Sequence, residues 1–215
     1  MFRPQLFRRI VLLIVLIGNS MGCSIPDTTP IQQWRHVEEG AYAADISTDG
    51  TLAVVSGVNN GVNVWRIGQS EPLYHWSHQG EGNNLVMSVH ISADKRYVVT
   101  ADREAFALWS LETGEPEGFW RIDESSIRDV VVTNNGNGIL VARSNGKVMY
   151  FEPRTSRRLE FFGHQEKVNS IDISPNGKFA LTGGNDYIAY LWSTDTGQII
   201  HTFTCLLYTS DAADE

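Results

Sequence analysis

His164, Thr182 and Asp186 place an imidazole, a hydroxyl and a carboxylate within one short stretch of the chain. These are the parts of a nucleophilic triad, in which the imidazole takes the hydroxyl proton and the carboxylate fixes the imidazole tautomer. No nucleophile elbow, a sharp turn from strand into helix, accompanies them. Three other histidines, His75, His78 and His90, stand near one another in sequence. They fall on a strand end, in a loop and on the next strand, a placement that does not converge on one metal ion. Asn59-Asn60-Gly61 and Thr182-Gly183-Gly184 are glycine-rich, but neither leads from a strand into a helix as phosphate-binding loops do. The two cysteines, Cys23 and Cys205, lie in unlike contexts and form neither a disulfide framework nor a metal-ligand spacing. No metal, cofactor or catalytic residue is therefore expected.

The elements that must position these groups follow from internal repeats. Ile46-Ser47-Thr48-Asp49-Gly50 recurs as Ile91-Ser92-Ala93-Asp94-Lys95, Val132-Thr133-Asn134-Asn135-Gly136 and Ile173-Ser174-Pro175-Asn176-Gly177, at steps of 45, 41 and 41 residues. Trp65, Trp109, Phe151 and Trp192 keep the same rhythm at steps of 44, 42 and 41. A third anchor is an aromatic two residues before a usual histidine: Trp34 and His36, Trp76 and His78, Trp120 and Ile122, Phe162 and His164. Within each period, short runs rich in β-branched and aromatic residues alternate with Gly, Asn and Asp turns, and no stretch after Cys23 keeps a helical period. The prediction is all-β: a β-propeller of four-stranded antiparallel blades at about 41–76, 85–120, 127–162 and 168–203.

The last copy, "FGHQEKVNSIDISPNGKFALTGGNDYIAYLWSTDTG", resembles the repeat of WD-repeat propellers. It has Gly-His, Ser-Pro-Asn-Gly, Thr-Gly, an Asp, and Trp before a Thr-Gly turn. The Asp that gives the family its name is missing after every Trp: Arg66, Ser110, Glu152 and Ser193 stand there. The resemblance implies a buried, fold-stabilising tetrad of His164, Thr182, Asp186 and Trp192, and this reading is preferred to catalysis. His36, Ser56, Asn60 and Trp65 form a partial version in the first copy; the second and third copies look poorer still. Rings of this family commonly have seven blades, so four blades imply an open, truncated propeller. Ile31 to Trp34 reads as a ring-closing outer strand.

The two ends read differently. Arg3, Arg8 and Arg9 precede an apolar run, Ile10 to Ile17, and then Ser20-Met21-Gly22-Cys23. This is the order of a signal peptide. Its end resembles the lipobox of bacterial lipoproteins, with Ser20 where that pattern prefers Leu. The resemblance implies removal of residues 1–22, lipid on Cys23 and a tether over 23–30. Ser24 after the Cys implies export to the outer membrane; a soluble periplasmic protein is the alternative. At the other end, "CLLYTSDAADE" breaks the repeat. Cys205 to Asp214 can be written TGT CTC TTA TAC ACA TCT GAC GCT GCC GAC, which resembles a transposase-derived sequencing adapter. Residues 205–215 are thus expected to be a non-native tail, and residues 31–204 a propeller fragment.

Function then falls to surfaces. With 17 basic and 25 acidic residues the chain lacks the basic surface of a nucleic-acid binder. Glu38, Glu39, Glu81, Asp123, Glu124 and Glu166 fall in loops between blades and form a candidate rim for a basic protein partner. Asp102 and Glu104 lie in a neighbouring set of loops, with Arg103 and Arg143 as opposing charges. The expected function is a non-enzymatic interaction scaffold of the bacterial envelope, with protein partners and membrane attachment through lipid. The alternatives are an outer-membrane assembly factor and, from another class, a propeller enzyme acting at the mouth of its central channel.

Overall fold

Each repeat is organised by the turn that follows its first strand. Ser47 accepts the N–H groups of Thr51 and Leu52 at 3.1 and 2.9 Å and donates to Asp49 at 2.8 Å, closing the turn around one hydroxyl. Ser92 with Asp94, Thr133 with Asn135 and Ser174 with Asn176 repeat the device. The turn needs one residue with positive φ, which is Gly50, Gly136 and Gly177 in the first, third and fourth copies and Lys95 (φ 57°) in the second. Lys95 there also pairs with Asp49 of the neighbouring turn.

The computed structural model describes residues 40–58, 60–78, 85–123 and 125–204. The chain divides into residues 1–33 and 34–215, and every described residue belongs to the second unit. The signal segment, Cys23, the tether, the strand expected at 31–34 and the tail at 205–215 lie outside the described residues.

Among the described residues, sixteen strands form four antiparallel sheets, each a simple meander. The first blade is β1 (Ala41–Ile46), β2 (Leu52–Gly57), β3 (Val62–Arg66) and β4 (Tyr74–Trp76). The second is β5 (Ser88–Ile91), β6 (Tyr97–Ala101), β7 (Ala105–Ser110) and β8 (Pro116–Arg121). The third is β9 (Ile127–Val132), β10 (Ile139–Arg143), β11 (Val148–Glu152) and β12 (Arg157–Phe161). The fourth is β13 (Val168–Ile173), β14 (Phe179–Gly184), β15 (Ile188–Ser193) and β16 (Ile199–Thr204). The first strands pack side by side in chain order, β1 on β5, β5 on β9 and β9 on β13. This is an open all-β propeller of four blades, with no helix among the described residues.

Because side chains alternate along a strand, one blade feeds two cores. On β10, Ile139 and Val141 pack toward the second blade, whereas Leu140 and Ala142 pack toward the fourth. A third core joins the first two blades through Val54, Val62 and Val64 on one side and Val98, Ala107 and Trp109 on the other. Phe179 and Leu181 of the fourth blade are exposed, on the face turned away from the third.

The strand register corrects one sequence anchor. Trp76 pairs with Val62, Trp120 with Phe106 and Phe161 with Val148, so Phe161, not Phe162, continues the aromatic series. Phe161 stacks on Trp192 at 5.3 Å, as Trp76 stacks on Trp109 at 4.9 Å. Phe162 is instead 66% exposed, with the Lys147 ammonium 5.7 Å from its ring.

Two glycines test how far conformation and space can be separated. Gly50 and Gly61 have nearly equal φ, 67° and 61°, but a Cβ on Gly50 meets open space whereas one on Gly61 lies 2.2 Å from the Trp76 carbonyl oxygen. Gly50→Ala should cost about 1–2 kcal/mol for the left-handed conformation alone. Gly61→Ala should cost clearly more, because backbone must move; chemical denaturation of the two variants measures the difference.

Candidate functional site

The candidate triad lies between the third and fourth blades. Thr182 on β14 and Trp192 on β15 face the third blade, His164 enters from the loop after β12, and Asp186 sits in the turn between β14 and β15. The His164 Nδ1–H faces both Asp186 oxygens at 2.9 and 3.0 Å. Nε2 is then the acceptor, and the Thr182 hydroxyl donates to it at 2.8 Å. The Trp192 indole N–H donates to the same hydroxyl oxygen at 2.8 Å. Gly184 permits this approach, since a Cβ there would lie 2.5 Å from His164 Nδ1. Burial raises the Asp186 pKa, but hydrogen bonds from His164 and the Gln165 and Ile188 N–H groups outweigh it and hold the carboxyl below its usual range.

The connectivity is that of a catalytic triad, yet its accessibility is not. Thr182 and Trp192 are each 1% exposed, so no carbonyl carbon can reach the hydroxyl. Every polar atom of the set is spent on another member, which is what a buried network requires.

A second complete tetrad stands between the first and second blades, where the sequence looked poorer. His78 Nδ1 meets Asp102 at 3.1 Å, His78 Nε2 meets Thr100 at 2.6 Å, and the Trp109 indole donates to Thr100 at 2.8 Å. Asp102 is displaced below its usual pKa in the same way: burial raises it, and bonds from His78 and two backbone N–H groups prevail. Thr100 and Asp102 are two residues apart, whereas Thr182 and Asp186 are four apart, because the turn between β6 and β7 is shorter. Spatial equivalence survives the change in spacing.

The first and third copies depart in different ways. Trp65 pairs with Ala53 and Trp192 with Ala180, which makes Val55 the counterpart of Thr182. Ser56 lies one residue further and therefore on the opposite face, where its hydroxyl donates to Val86 O of the second blade at 2.9 Å. The partial tetrad read through Ser56 is thus corrected by register; His36 lies outside the described residues. In the third copy every member is replaced together. Ile122, Val141 and Phe151 occupy the His, Thr and Trp places and join one apolar core. Arg143 stands at the Asp position, where its buried guanidinium pairs with Glu160.

The three neighbouring histidines part company. His75 Nδ1 meets Asn63 Oδ1 at 2.7 Å, His78 belongs to the second tetrad, and His90 Nδ1 accepts the Val132 N–H at 3.2 Å. His90 nonetheless belongs to a group that was not read from the sequence. With Asp45, Asp172 and the turn residues it lines a cavity of about 260 Å³ where the four first strands meet. Titratable groups thus converge at this channel mouth. The signal was available in phase: Asp45, His90, Val131 and Asp172 each precede the Ile or Val that enters the turn.

Of the candidate rim, Asp123 and Glu166 are exposed, and Glu38, Glu39, Glu81 and Glu124 lie outside the described residues. Asp102 is a tetrad member and Arg143 is buried against Glu160, so neither serves as a loop charge. Glu104 pairs with Arg121 at 3.2 Å, with both side chains exposed, and Arg103 is exposed.

Residues 155–193 match the family described as WD domain, G-beta repeat, a span that holds the fourth-blade tetrad. The chain is 29% identical over 106 residues to Polyadenylation factor subunit 2 of Cryptococcus neoformans, covering 49% of this chain and 15% of that protein. It is 25% identical over 128 residues to WD repeat-containing protein AAC3 of Dictyostelium discoideum, covering 56% and 27%. Over 184 residues it is 25% identical to Meiotic recombination protein rec14 of Schizosaccharomyces pombe, covering 79% and 58%. The chain thus spans between 15% and 58% of the length of these relatives. Together with the fold, the matches support a WD-repeat β-propeller.

The all-or-none character of the network is testable. Thr182→Val should lower stability by about 1–3 kcal/mol, because it leaves the His164 nitrogen and the Trp192 N–H without their shared partner. Adding His164→Ile and Trp192→Phe, the set found between the second and third blades, should recover part of that loss. Denaturant melts of the single and triple variants measure the coupling. The lowered pKa values of Asp102 and Asp186 add a pH dependence with a definite sign. Their stabilisation is complete above the unfolded value of 3.8 and is lost as pH falls through their lower folded values. Asp186→Asn should flatten the acid limb of a Tm–pH curve below about pH 4.

Proposed function

We propose that this propeller is a non-catalytic protein-interaction scaffold of the bacterial cell envelope, facing the periplasm from the outer membrane through lipid on Cys23. The observation that carries the scaffold reading is the burial of the triad-like set. Its groups are consumed by the fold, which leaves the exposed loops as the chemistry offered to a partner. Proteins with WD repeats generally act as interaction scaffolds, and the partner here is a protein with a basic contact surface. The envelope reading rests on Arg3 to Cys23 alone. The relatives named above are eukaryotic and lend it no support. Within the envelope, a role in outer-membrane assembly is the narrower form of the proposal.

A channel-mouth enzyme is the second reading, favoured by the gathering of Asp45, His90 and Asp172 around one cavity. Two facts weigh against it. Both Asp45 oxygens accept backbone N–H groups, from Ile46 at 2.8 Å and Ile91 at 2.7 Å. Asp129 accepts from Ser88, Val130 and Ile171, so these carboxylates are committed to joining strands.

Two measurements test the proposal. Intact mass of the protein from a Gram-negative host should show loss of residues 1–22 and lipid on the new N-terminal Cys23; a product cleaved elsewhere and free of lipid overturns the anchor. Asp123→Lys with Glu166→Lys should weaken co-purification of the basic partner from membranes and reduce its salt sensitivity. Recovery of the same partner by wild type and variant at every salt concentration removes the rim from the binding surface.

A further inference from the structure

One position in each repeat decides how adjacent blades are joined at the channel. The Asp45 carboxylate accepts the Ile91 N–H at 2.7 Å and so joins the first blade to the second. His90 occupies the same place one repeat later, and its Nδ1 accepts the Val132 N–H at 3.2 Å to join the second blade to the third. In the third repeat the place is taken by Val131, whose side chain accepts nothing. Asp129, two residues earlier, reaches the Ile171 N–H at 3.1 Å instead. At these N–H groups two of the three joints are thus closed by carboxylates and the middle one by an imidazole, although across the middle joint Ser88 also donates to Asp129 at 2.8 Å. Ser88 supports that middle joint by accepting the Val130 N–H at 3.1 Å.

The two acceptor chemistries respond differently to a proton. A carboxyl that gains one keeps an oxygen able to accept, whereas an imidazolium has two N–H groups and no acceptor. We propose that His90 makes the joint between the second and third blades selectively acid-labile. While His90 is neutral its proton sits on Nε2 and Nδ1 is free to accept. A proton on Nδ1 points at the Val132 N–H, and the bond between the blades is lost.

The surroundings make the exchange feasible. Asp45 on β1, Asp129 on β9 and Asp172 on β13 face the ring, and β6, its sheet partner, sets Val99 opposite it. The cavity beside it gives the ring room to turn toward those carboxylates. Burial disfavours the imidazolium and the three carboxylates favour it; burial prevails, so the folded pKa lies below 6.5. The unfolded chain therefore binds the proton first. The stabilisation is complete above about pH 6.5 and drains away as pH falls toward the folded value.

The test is an NMR titration of the full chain from pH 7.5 down through the midpoint of the His90 ring, reading the His90 ring nitrogens and the Val132 and Ile91 amides. The Val132 protection factor should fall about fivefold or more, the weight of one such hydrogen bond. Its midpoint should coincide with that of the His90 ring, while Ile91, held by Asp45, keeps its protection. A Val132 amide that stays protected while the ring titrates overturns the proposal, as does an equal loss at Ile91. His90→Asp installs the residue of the first and fourth repeats. It should hold Val132 across the same range, and a Val132 response matching wild type refutes the assignment; should the variant fail to fold, the wild-type comparison of midpoints decides alone.

Discussion

The structure depends on one constraint: two sheets packed face to face can leave few polar atoms without a partner between them. A buried hydrogen bond contributes only about 1 kcal/mol net, but an orphaned partner costs about 1–3 kcal/mol. That asymmetry explains why the three interfaces between the described blades carry either the whole polar set or a set in which every member is replaced. Between the first and second blades, and between the third and fourth, histidine, threonine, aspartate and tryptophan close on one another. Between the second and third, isoleucine, valine and phenylalanine replace the first, second and fourth members, and Arg143 with Glu160 takes the place of the carboxylate. A mixed set, with a valine beside a surviving histidine, would combine the desolvation cost of the polar form with the missing bonds of the apolar one.

The same logic governs the inner strands. Their outward-turned N–H groups at the channel need acceptors that a sheet ladder cannot supply, so the preceding blade supplies them. Where Val131 removes the acceptor at the usual place, Asp129 provides one two residues away, on the same face of β9 by the alternation of a strand. Burial pushes the Asp129 pKa up, and only its bonds to Ile171, Ser88 and Val130 and the nearby His90 work against that rise. Ile173, left without a donor-matched partner in the third blade, bonds to its own Asp172 at 2.8 Å.

The repeat was legible in the sequence because its markers sit where few residue types fit. A hydroxyl must close the turn, a residue tolerant of positive φ must follow, and an aromatic must fill the space at the end of the third strand. Fold class and the blade-by-blade meander follow from those markers. What sequence spacing could not supply was register. Ser56 lies one residue from the tetrad position and so points to the other face, since a shift of one reverses every side chain. Phe162 misses its place by the same single step. The second tetrad was hidden by a turn one residue shorter, with its Asp directly after the strand, which changes spacing in the chain without changing position in space. The channel group escaped notice for another reason: its members vary between Asp, His and Val, so only their phase, not their type, marks them.

Catalysis requires a nucleophile that is activated and also reachable, and the second condition separates Thr182 from a working serine or threonine nucleophile. Its oxygen already accepts the Trp192 N–H, and the hydroxyl is shut between two sheets. To open that site to a substrate, the third and fourth blades would have to part, and parting them exposes Phe161, Trp192, Leu140 and Val168 together. Exposure of that much apolar surface, at about 25 cal/mol per Å², is of the order of unfolding rather than of a gating motion. The groups best arranged for acid–base chemistry are therefore the ones least able to perform it, and their geometry serves the joint between blades. What the chain can offer to another molecule lies at the ends of the strands, where loops are free of that constraint.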